Sequence, residues 1–265
     1  MNLSNAKYIL PNLVTLSSGF AAFCAIVRTA QATDAAGLTQ AVWLLALSMF
    51  LDGCDGRVAR ATKSQSEFGV QLDSLADGIA FGIAPAFLLY RWAFENSGLG
   101  LMGLLIPFLF GAAGILRLAR FNVLAAKDKG SSDHFVGLPI PLAAGALLSV
   151  ILTHLSLTGK METAAPWSAA LITVVLSFLM VSTVRYRTFK KSGRKTSLIL
   201  VSLLLSALVA SVVFNPGLPF ALLFAGYILV GLTESAVEIG RRRAARHEDE
   251  LEDELEDEEP IEHMR

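Results

Sequence analysis

The sequence contains few of the residues on which soluble and secreted proteins depend. Only 17% of its 265 residues are charged, whereas 54% are hydrophobic, and a soluble domain has about 25% charged residues. Its two cysteines, Cys24 and Cys54, lie within apolar runs and predict neither a disulfide framework nor a zinc site. The first apolar run lacks a basic leader and a small-residue cleavage site, so we expect it to remain as a membrane span. Soluble enzymes and disulfide-rich secreted domains are therefore excluded.

Long apolar runs fill most of the chain instead. A helix crosses the hydrocarbon core of a bilayer with about 20 apolar residues. Eight segments approach this length, at roughly 8–30, 38–60, 68–94, 99–121, 138–157, 166–184, 198–214 and 217–239. Short connections separate them and leave little room for a soluble domain. The sequence therefore predicts an all-α polytopic membrane protein with about eight transmembrane helices, formed by residues 1–247.

The basic residues indicate the orientation of these spans. Eighteen Lys and Arg residues fall on one side of the membrane, against Arg28, Arg91 and Lys160 on the other. Because connections rich in Lys and Arg stay in the cytoplasm, we expect both termini to be cytoplasmic in a bacterial inner membrane. A basic cytoplasmic face suits anionic membrane lipids and phosphate-bearing ligands. We expect no nucleic-acid partner.

The end of the chain has the opposite charge. Residues 248–262 contain eleven of the 23 acidic residues. Such a segment is too charged to bury a core. We expect residues 248–265 to form a disordered cytoplasmic tail, with a solubilising or a regulatory role.

Four aspartates stand out within the second and third apolar runs: Asp52, Asp55, Asp73 and Asp77. A carboxylate near hydrocarbon costs about 2.5–3.5 kcal/mol even on a lenient scale. Spacings of three and four residues place each pair on one helix face. Two helices joined by a short turn can therefore direct all four carboxylates toward one point at the cytoplasmic end of the spans.

Carboxylate oxygens are hard ligands that suit Mg²⁺ or Mn²⁺, and four of them suffice for two ions. No thiolate or imidazole belongs to the cluster, which argues against zinc or copper. Two metal ions beside a free carboxylate are typical of phosphoryl-type displacement, in which the carboxylate takes the proton of an attacking hydroxyl. The alternative is that the aspartates form only ion pairs between helices, with Arg57, Arg60 and Lys63 as the nearest cations.

The aspartates belong to a longer pattern, D-x2-D-G-x2-A-R-x8-G-x3-D-x3-D. Its positions are filled by Asp52, Asp55, Gly56, Ala59, Arg60, Gly69, Asp73 and Asp77. This resembles the signature of the CDP-alcohol phosphatidyltransferases at every defined position. The resemblance implies an integral membrane enzyme that moves a phosphatidyl group from a CDP-linked lipid to an alcohol and releases CMP.

Residue roles follow from the same resemblance. It implies that Asp52, Asp55 and Asp73 bind metal and that Asp77 is both a ligand and the catalytic base. It also implies a cytidine diphosphate site lined by Gly56, Ala59 and Gly69, with Arg60 nearby. Family members often form homodimers, so a homodimer is also expected.

The alcohol is suggested by other segments. Residues 10–15, 72–85, 116–122, 135–141 and 180–190 are similar to stretches of membrane-embedded bacterial phosphatidylserine synthases, a branch of this family. This implies CDP-diacylglycerol and L-serine as substrates. Serine brings a carboxylate, which a guanidinium binds through two parallel hydrogen bonds. The expected serine-binding residues are Arg117, Arg120, Asn122 and Arg185, although these arginines could instead enforce topology or bind lipid phosphate.

Two alternatives stay open. A sister enzyme could use glycerol 3-phosphate or an inositol phosphate, because such acceptors would engage the same arginines. A cation transporter would also place carboxylates within the membrane, but at several depths and on several spans. Here they are predicted at one depth on two consecutive spans.

Overall fold

The computed structural model describes residues 3–62, 66–127, 134–187 and 215–235, together with positions 202, 206, 209–211 and 237. Its helices are α1 (Leu3–Gln31), α2 (Ala35–Ala61), α3 (Glu67–Asp77), α4 (Ala84–Leu89), α5 (Leu101–Lys127), α6 (Ile140–Thr158), α7 (Pro166–Val181) and α8 (Leu218–Ser235). Two π-helical segments, Gly78–Ile83 and Tyr90–Phe94, join α3 and α4 into one continuous rod, and two short strands are β1 (His134–Val136) and β2 (Arg185–Arg187).

The predicted helical membrane bundle is confirmed. In the ranges that the structure describes, six helical stretches are long and apolar enough to cross a bilayer: Ile9–Gln31, Ala35–Val58, Glu67–Phe94, Leu101–Leu124, Ile140–Thr158 and Leu218–Ser235. The shorter apolar helix Pro166–Val181 corresponds to the predicted sixth span. The predicted span at 198–214 falls mostly outside the described residues, as does the acidic tail at 248–265.

Helices α1 and α2 form an antiparallel hairpin with small residues at its interface. Ala22, Ala25 and Ala41 are almost completely buried, which allows the two backbones to approach closely. Ser18 and Ser48 fix their relative position by reciprocal hydrogen bonds. The Ser18 hydroxyl donates to the Ser48 carbonyl at 3.1 Å, and the Ser48 hydroxyl donates to the Ser18 carbonyl at 2.9 Å.

The third rod passes close to α5 and α6. A Cβ added at Gly114 of α5 would lie 2.4 Å from Cδ1 of Ile140, so a larger residue here would require the Ile140 side chain to move. The first π-helical segment begins directly after Asp77. A π-helical turn adds a residue to the helix and changes the face that the following side chains present, and such turns are frequent at functional sites.

A two-stranded ribbon, which the sequence did not predict, closes the same end of the bundle as the α2–α3 turn. Strand β1 pairs antiparallel with β2, and Phe135 lies opposite Tyr186. Gly137 follows β1 with a φ of 80°, and its N–H donates to the Val184 carbonyl at 2.8 Å. The ribbon therefore joins the start of α6 to the end of α7.

Many large apolar side chains point outward. Examples on four different helices are Phe20, Phe50, Phe108 and Phe178, each more than 60% exposed. This pattern is expected of a bundle whose outer surface contacts lipid tails rather than water. At the end of the bundle opposite the ribbon, the Trp92 indole N–H donates a hydrogen bond to Nδ1 of His154 at 3.0 Å.

Candidate active site

Three of the predicted metal ligands converge where α2 ends and α3 begins. One carboxylate oxygen from each of Asp52, Asp55 and Asp73 lies within 4.8 Å of the other two. Asp55 is buried, with 8% of its surface exposed, and the other two are half-buried. The helical period directs each aspartate inward, and the short turn after α2 brings α3 back alongside it.

The fourth aspartate lies one turn further along. Asp77 ends α3, and its side chain is beside that of Asp52, outside the group of three. Its Oδ1 is buried and has no hydrogen-bond partner within the described part of the chain. A buried acceptor of this kind is costly unless a cation or a donor satisfies it.

The predicted counter-charges do not neutralise the cluster. Arg57 and Arg60 are exposed, and neither forms an ion pair with these aspartates among the described residues; Lys63 lies outside them. Within the described part of the chain, four clustered carboxylates therefore remain without an ion-paired side chain, all with hard oxygen donors. This donor set and the orphaned Asp77 oxygen fit divalent cations of the Mg²⁺ and Mn²⁺ class.

A cavity of about 530 Å³ adjoins the aspartates and lies between α1, α2 and α3. The residues that line it are Pro11, Asn12, Thr15, Asp55, Gly56, Arg60, Ser66, Glu67, Gly69, Val70 and Asp73. Three of the four residues predicted to bind the CDP-lipid are thus on its wall. The fourth, Ala59, lies on α2, and its side chain is outside the described part.

The two glycines of this wall have different surroundings. A Cβ at Gly56 would meet no atom within 4 Å, so Gly56 faces open space. A Cβ at Gly69 would lie 3.2 Å from Oγ of Ser66, the residue that caps α3 by accepting a hydrogen bond from the Gly69 N–H at 3.0 Å. Gly69 therefore serves the start of the helix as well as the cavity.

Helix α1 contributes site residues that the sequence analysis did not assign. Pro11 and Asn12 line the cavity, and the Thr15 hydroxyl donates to Oδ2 of Asp55 at 2.7 Å. The available signal was the segment 10–15, a proline and an asparagine within an apolar run. It matched the family resemblance, but its spacing gave no reason to place it against Asp55.

The predicted serine-binding residues have separate positions. Arg117 is only 8% exposed, interacts electrostatically with Asp77, and has an Nε without a partner in the described part. Arg120 instead donates to the Val181 carbonyl at 3.2 Å. The Asn122 amide donates to the Ser74 hydroxyl at 2.9 Å, between Asp73 and Asp77. Arg185 lies in β2, and its side chain is not described.

One more residue near Arg117 comes from the last described helix. Tyr227 of α8 is partly buried against the core and lies close enough to Arg117 to interact electrostatically. The Phe224 side chain of the same helix packs against Gly145 of α6, where an added Cβ would lie 2.5 Å from the ring. The surroundings of Arg117 therefore include a residue of α8, a helix to which the sequence analysis assigned no site residue.

Comparison with known proteins agrees with this geometry. The family model described as CDP-alcohol phosphatidyltransferase matches residues 8–179. A CDP-diacylglycerol–serine O-phosphatidyltransferase from Helicobacter pylori is 38% identical over 208 residues, covering 77% of this chain and 83% of the relative. An archaetidylserine synthase from Methanothermobacter thermautotrophicus is 34% identical over 190 residues, which cover 71% of this chain and 73% of the relative. A Bacillus subtilis CDP-diacylglycerol–serine O-phosphatidyltransferase is 35% identical, with 57% and 76% covered.

Proposed function

Because this chain belongs to the CDP-alcohol phosphatidyltransferase family, we propose that it transfers the phosphatidyl group of CDP-diacylglycerol to the hydroxyl of L-serine. The products are phosphatidylserine and CMP. The observation that supports this most directly is the convergence of Asp52, Asp55 and Asp73 beside a cavity with open walls at Gly56. Serine as acceptor is supported by relatives whose names specify serine or archaetidylserine.

The cavity between α1, α2 and α3 receives the cytidine diphosphate group. Its volume of about 530 Å³ is within the usual range for small-molecule sites. Arg60 on its wall provides a guanidinium for a phosphate oxygen. The exposed apolar faces of the bundle allow the acyl tails to stay in the bilayer while the head group enters between helices.

Asp52, Asp55, Asp73 and Asp77 would hold two divalent ions, Mg²⁺ or Mn²⁺. When bound, such ions neutralise phosphate oxygens and the developing charge on the leaving group. The protein's own contribution is to keep three carboxylates, one of them buried and two half-buried, within 4.8 Å of one another. Carboxylates held this close repel one another, which favours cation binding.

Asp77 is the proposed base. It accepts the proton of the serine hydroxyl, whose oxygen forms a bond to the phosphatidyl phosphorus. The bond from this phosphorus to the bridging oxygen of the diphosphate breaks, and CMP leaves with the electron pair. The unpartnered Oδ1 of Asp77 is the available acceptor. No covalent enzyme intermediate is required.

Arg117 is the proposed ligand of the serine carboxylate. It is buried, its Nε is unpartnered among the described residues, and it lies near Asp77. A carboxylate at Arg117 therefore leaves the serine hydroxyl within reach of the base. Asn122 contributes by holding Ser74, and Arg120 and Arg185 remain candidates at the edge of the pocket.

We place the enzyme in a bacterial inner membrane with its active site and both termini in the cytoplasm. The support is the excess of Lys and Arg near the aspartate end of the spans. Anionic lipids would adsorb to this basic face, and a homodimer remains a proposal from the family resemblance. A cation transporter is disfavoured because the four aspartates lie on α2 and α3 at one end of the bundle.

The test is CMP release by purified protein in detergent with CDP-diacylglycerol and Mn²⁺ or Mg²⁺. L-Serine, glycerol 3-phosphate, inositol phosphate and no acceptor are compared, and the lipid product is identified by mass spectrometry. Serine-dependent release with phosphatidylserine as product supports the proposal. Release with another alcohol alone would retain the mechanism and refute the acceptor.

A further inference from the structure

Thr15 of α1 departs from the usual behaviour of a hydroxyl in a membrane helix. Such hydroxyls commonly bond to the carbonyl four residues earlier. Among the described residues, eight do so at 2.6–2.8 Å: Ser17, Thr39, Thr62, Thr153, Ser156, Thr158, Thr173 and Ser177. Thr15 is instead 3.2 Å from the Pro11 carbonyl and 2.7 Å from Oδ2 of Asp55. The shorter distance makes the carboxylate the favoured acceptor of its single hydrogen.

This hydrogen bond is buried at both ends. Thr15 is 4% exposed and Asp55 is 8% exposed. A hydrogen bond to a charged group is short and about twice as strong as one between neutral groups. It restricts rotation of the carboxylate, because Oδ2 is held against α1 by the Thr15 hydroxyl.

The packing of α1 on α2 supports the same contact. Ser18 is three residues after Thr15 and so lies on the same face of α1. Its reciprocal bonds with Ser48 fix the register of the two helices. The position of Thr15 against Asp55 is therefore set by a neighbouring interhelical contact as well as by its own hydrogen bond.

We propose that Thr15 is a positioning residue that orients Asp55 for divalent-metal binding through its buried hydrogen bond. It acts through the carboxylate and does not itself touch the reacting atoms. The inference rests on the proposed function, in which Asp55 is a metal ligand. Groups that hold a metal ligand in place typically change metal affinity or activity by about 10–100-fold when removed.

The experiment measures Mn²⁺ binding by electron paramagnetic resonance of the free ion, in detergent and without CDP-lipid. Thr15→Val removes the donor and keeps the branched shape, whereas Thr15→Ser keeps the donor. We expect Thr15→Val to weaken Mn²⁺ binding by about 10-fold or more and Thr15→Ser to stay close to the original protein. The matched control is Thr39→Val, whose hydroxyl bonds only its own helix at Ala35.

Three results would overturn the proposal. Unchanged Mn²⁺ binding in Thr15→Val would remove the positioning role. Equal losses in Thr15→Val and Thr15→Ser would assign the effect to packing of the methyl group. A raised KM for CDP-diacylglycerol with unchanged Mn²⁺ binding would show that Thr15 contacts the substrate in the cavity.

Folding and the underlying assignment are tested separately. Thr15→Ala also lacks the donor and adds no bulk, and it replaces Thr15→Val if that variant does not purify as a monodisperse protein. Asp55→Asn tests the proposed metal ligand itself. Normal Mn²⁺ binding in Asp55→Asn would refute the ligand, whereas its loss there with normal binding in Thr15→Val would refute only the role of Thr15.

Discussion

Asp77→Asn separates proton transfer from metal binding in the proposed mechanism. The two side chains have the same shape, but the amide cannot accept a proton from serine. Asp77 is outside the group of three carboxylates within 4.8 Å, and its Oδ1 has no partner among the described residues. The substitution therefore leaves the other three ligands in place, and the new amide can donate to Asp52 beside it.

The size of the effect follows from this separation. Loss of a general base typically costs about 10²–10⁴-fold in rate, equivalent to about 2.7–5.5 kcal/mol in the barrier. We expect kcat to fall within this range, while binding of CDP-diacylglycerol falls much less. We expect Mn²⁺ affinity to decrease less than in Asp55→Asn or Asp73→Asn, because those residues belong to the converging trio.

The assay is single-turnover CMP release at saturating serine, together with calorimetric binding of CDP-diacylglycerol to the same preparations. Asp34→Asn is the matched control, since Asp34 caps α2 at the far end by accepting from the Gly37 N–H at 2.8 Å. Asparagine caps helices as well as aspartate does, so this variant should remain active. A rate for Asp77→Asn within tenfold of the original would refute Asp77 as the base.

The other predictions concern the acceptor pocket, the helix start and the metal. Arg117→Lys should raise the KM for serine by about 10–100-fold and change the KM for CDP-diacylglycerol little, since one charged hydrogen bond contributes about 1.5–3 kcal/mol. The control is Arg28→Lys, at the far end of the bundle. Equal rises in both KM values would reassign Arg117 to phosphate binding. Gly69→Ala should lower the free energy of unfolding by about 1 kcal/mol, because the added methyl group disturbs the Ser66 cap. The control is Gly53→Ala, which should not destabilise the protein because a Cβ there meets nothing within 4 Å. Both variants are measured by thermal unfolding in detergent. EDTA should abolish CMP release and added Mg²⁺ or Mn²⁺ should restore it; activity that persists in EDTA would contradict a metal-dependent mechanism.

The proposed serine pocket rests on fewer residues than the set expected from sequence. Asn122 and Arg120 both make interhelical bonds, to Ser74 and to the Val181 carbonyl. These bonds hold α5 against α3 and α7. We therefore propose Arg117 of α5, which interacts electrostatically with Asp77 of α3, as the main ligand of the acceptor.

The sequence alone determined the features that depend on local spacing. The length of each apolar run predicted a helical membrane bundle, and seven of the eight predicted spans correspond to described helices. Spacings of three and four residues predicted which carboxylates share a helix face, and a short turn was enough to predict that two such faces meet. The signature pattern predicted the family for the same reason, since all its positions lie within 26 residues of one another.

Tertiary structure decided the contacts between residues that are far apart in the chain. Thr15 and Asp55 are separated by 40 positions, and Ser74 and Asn122 by 48. No period relates such residues, because their contact depends on the register in which two helices pack. Small residues at the α1–α2 interface and the reciprocal Ser18–Ser48 hydrogen bonds set the register of these two helices. Helix packing thereby placed Asn12 and Thr15 on the wall of the cavity and brought Asn122 to Ser74.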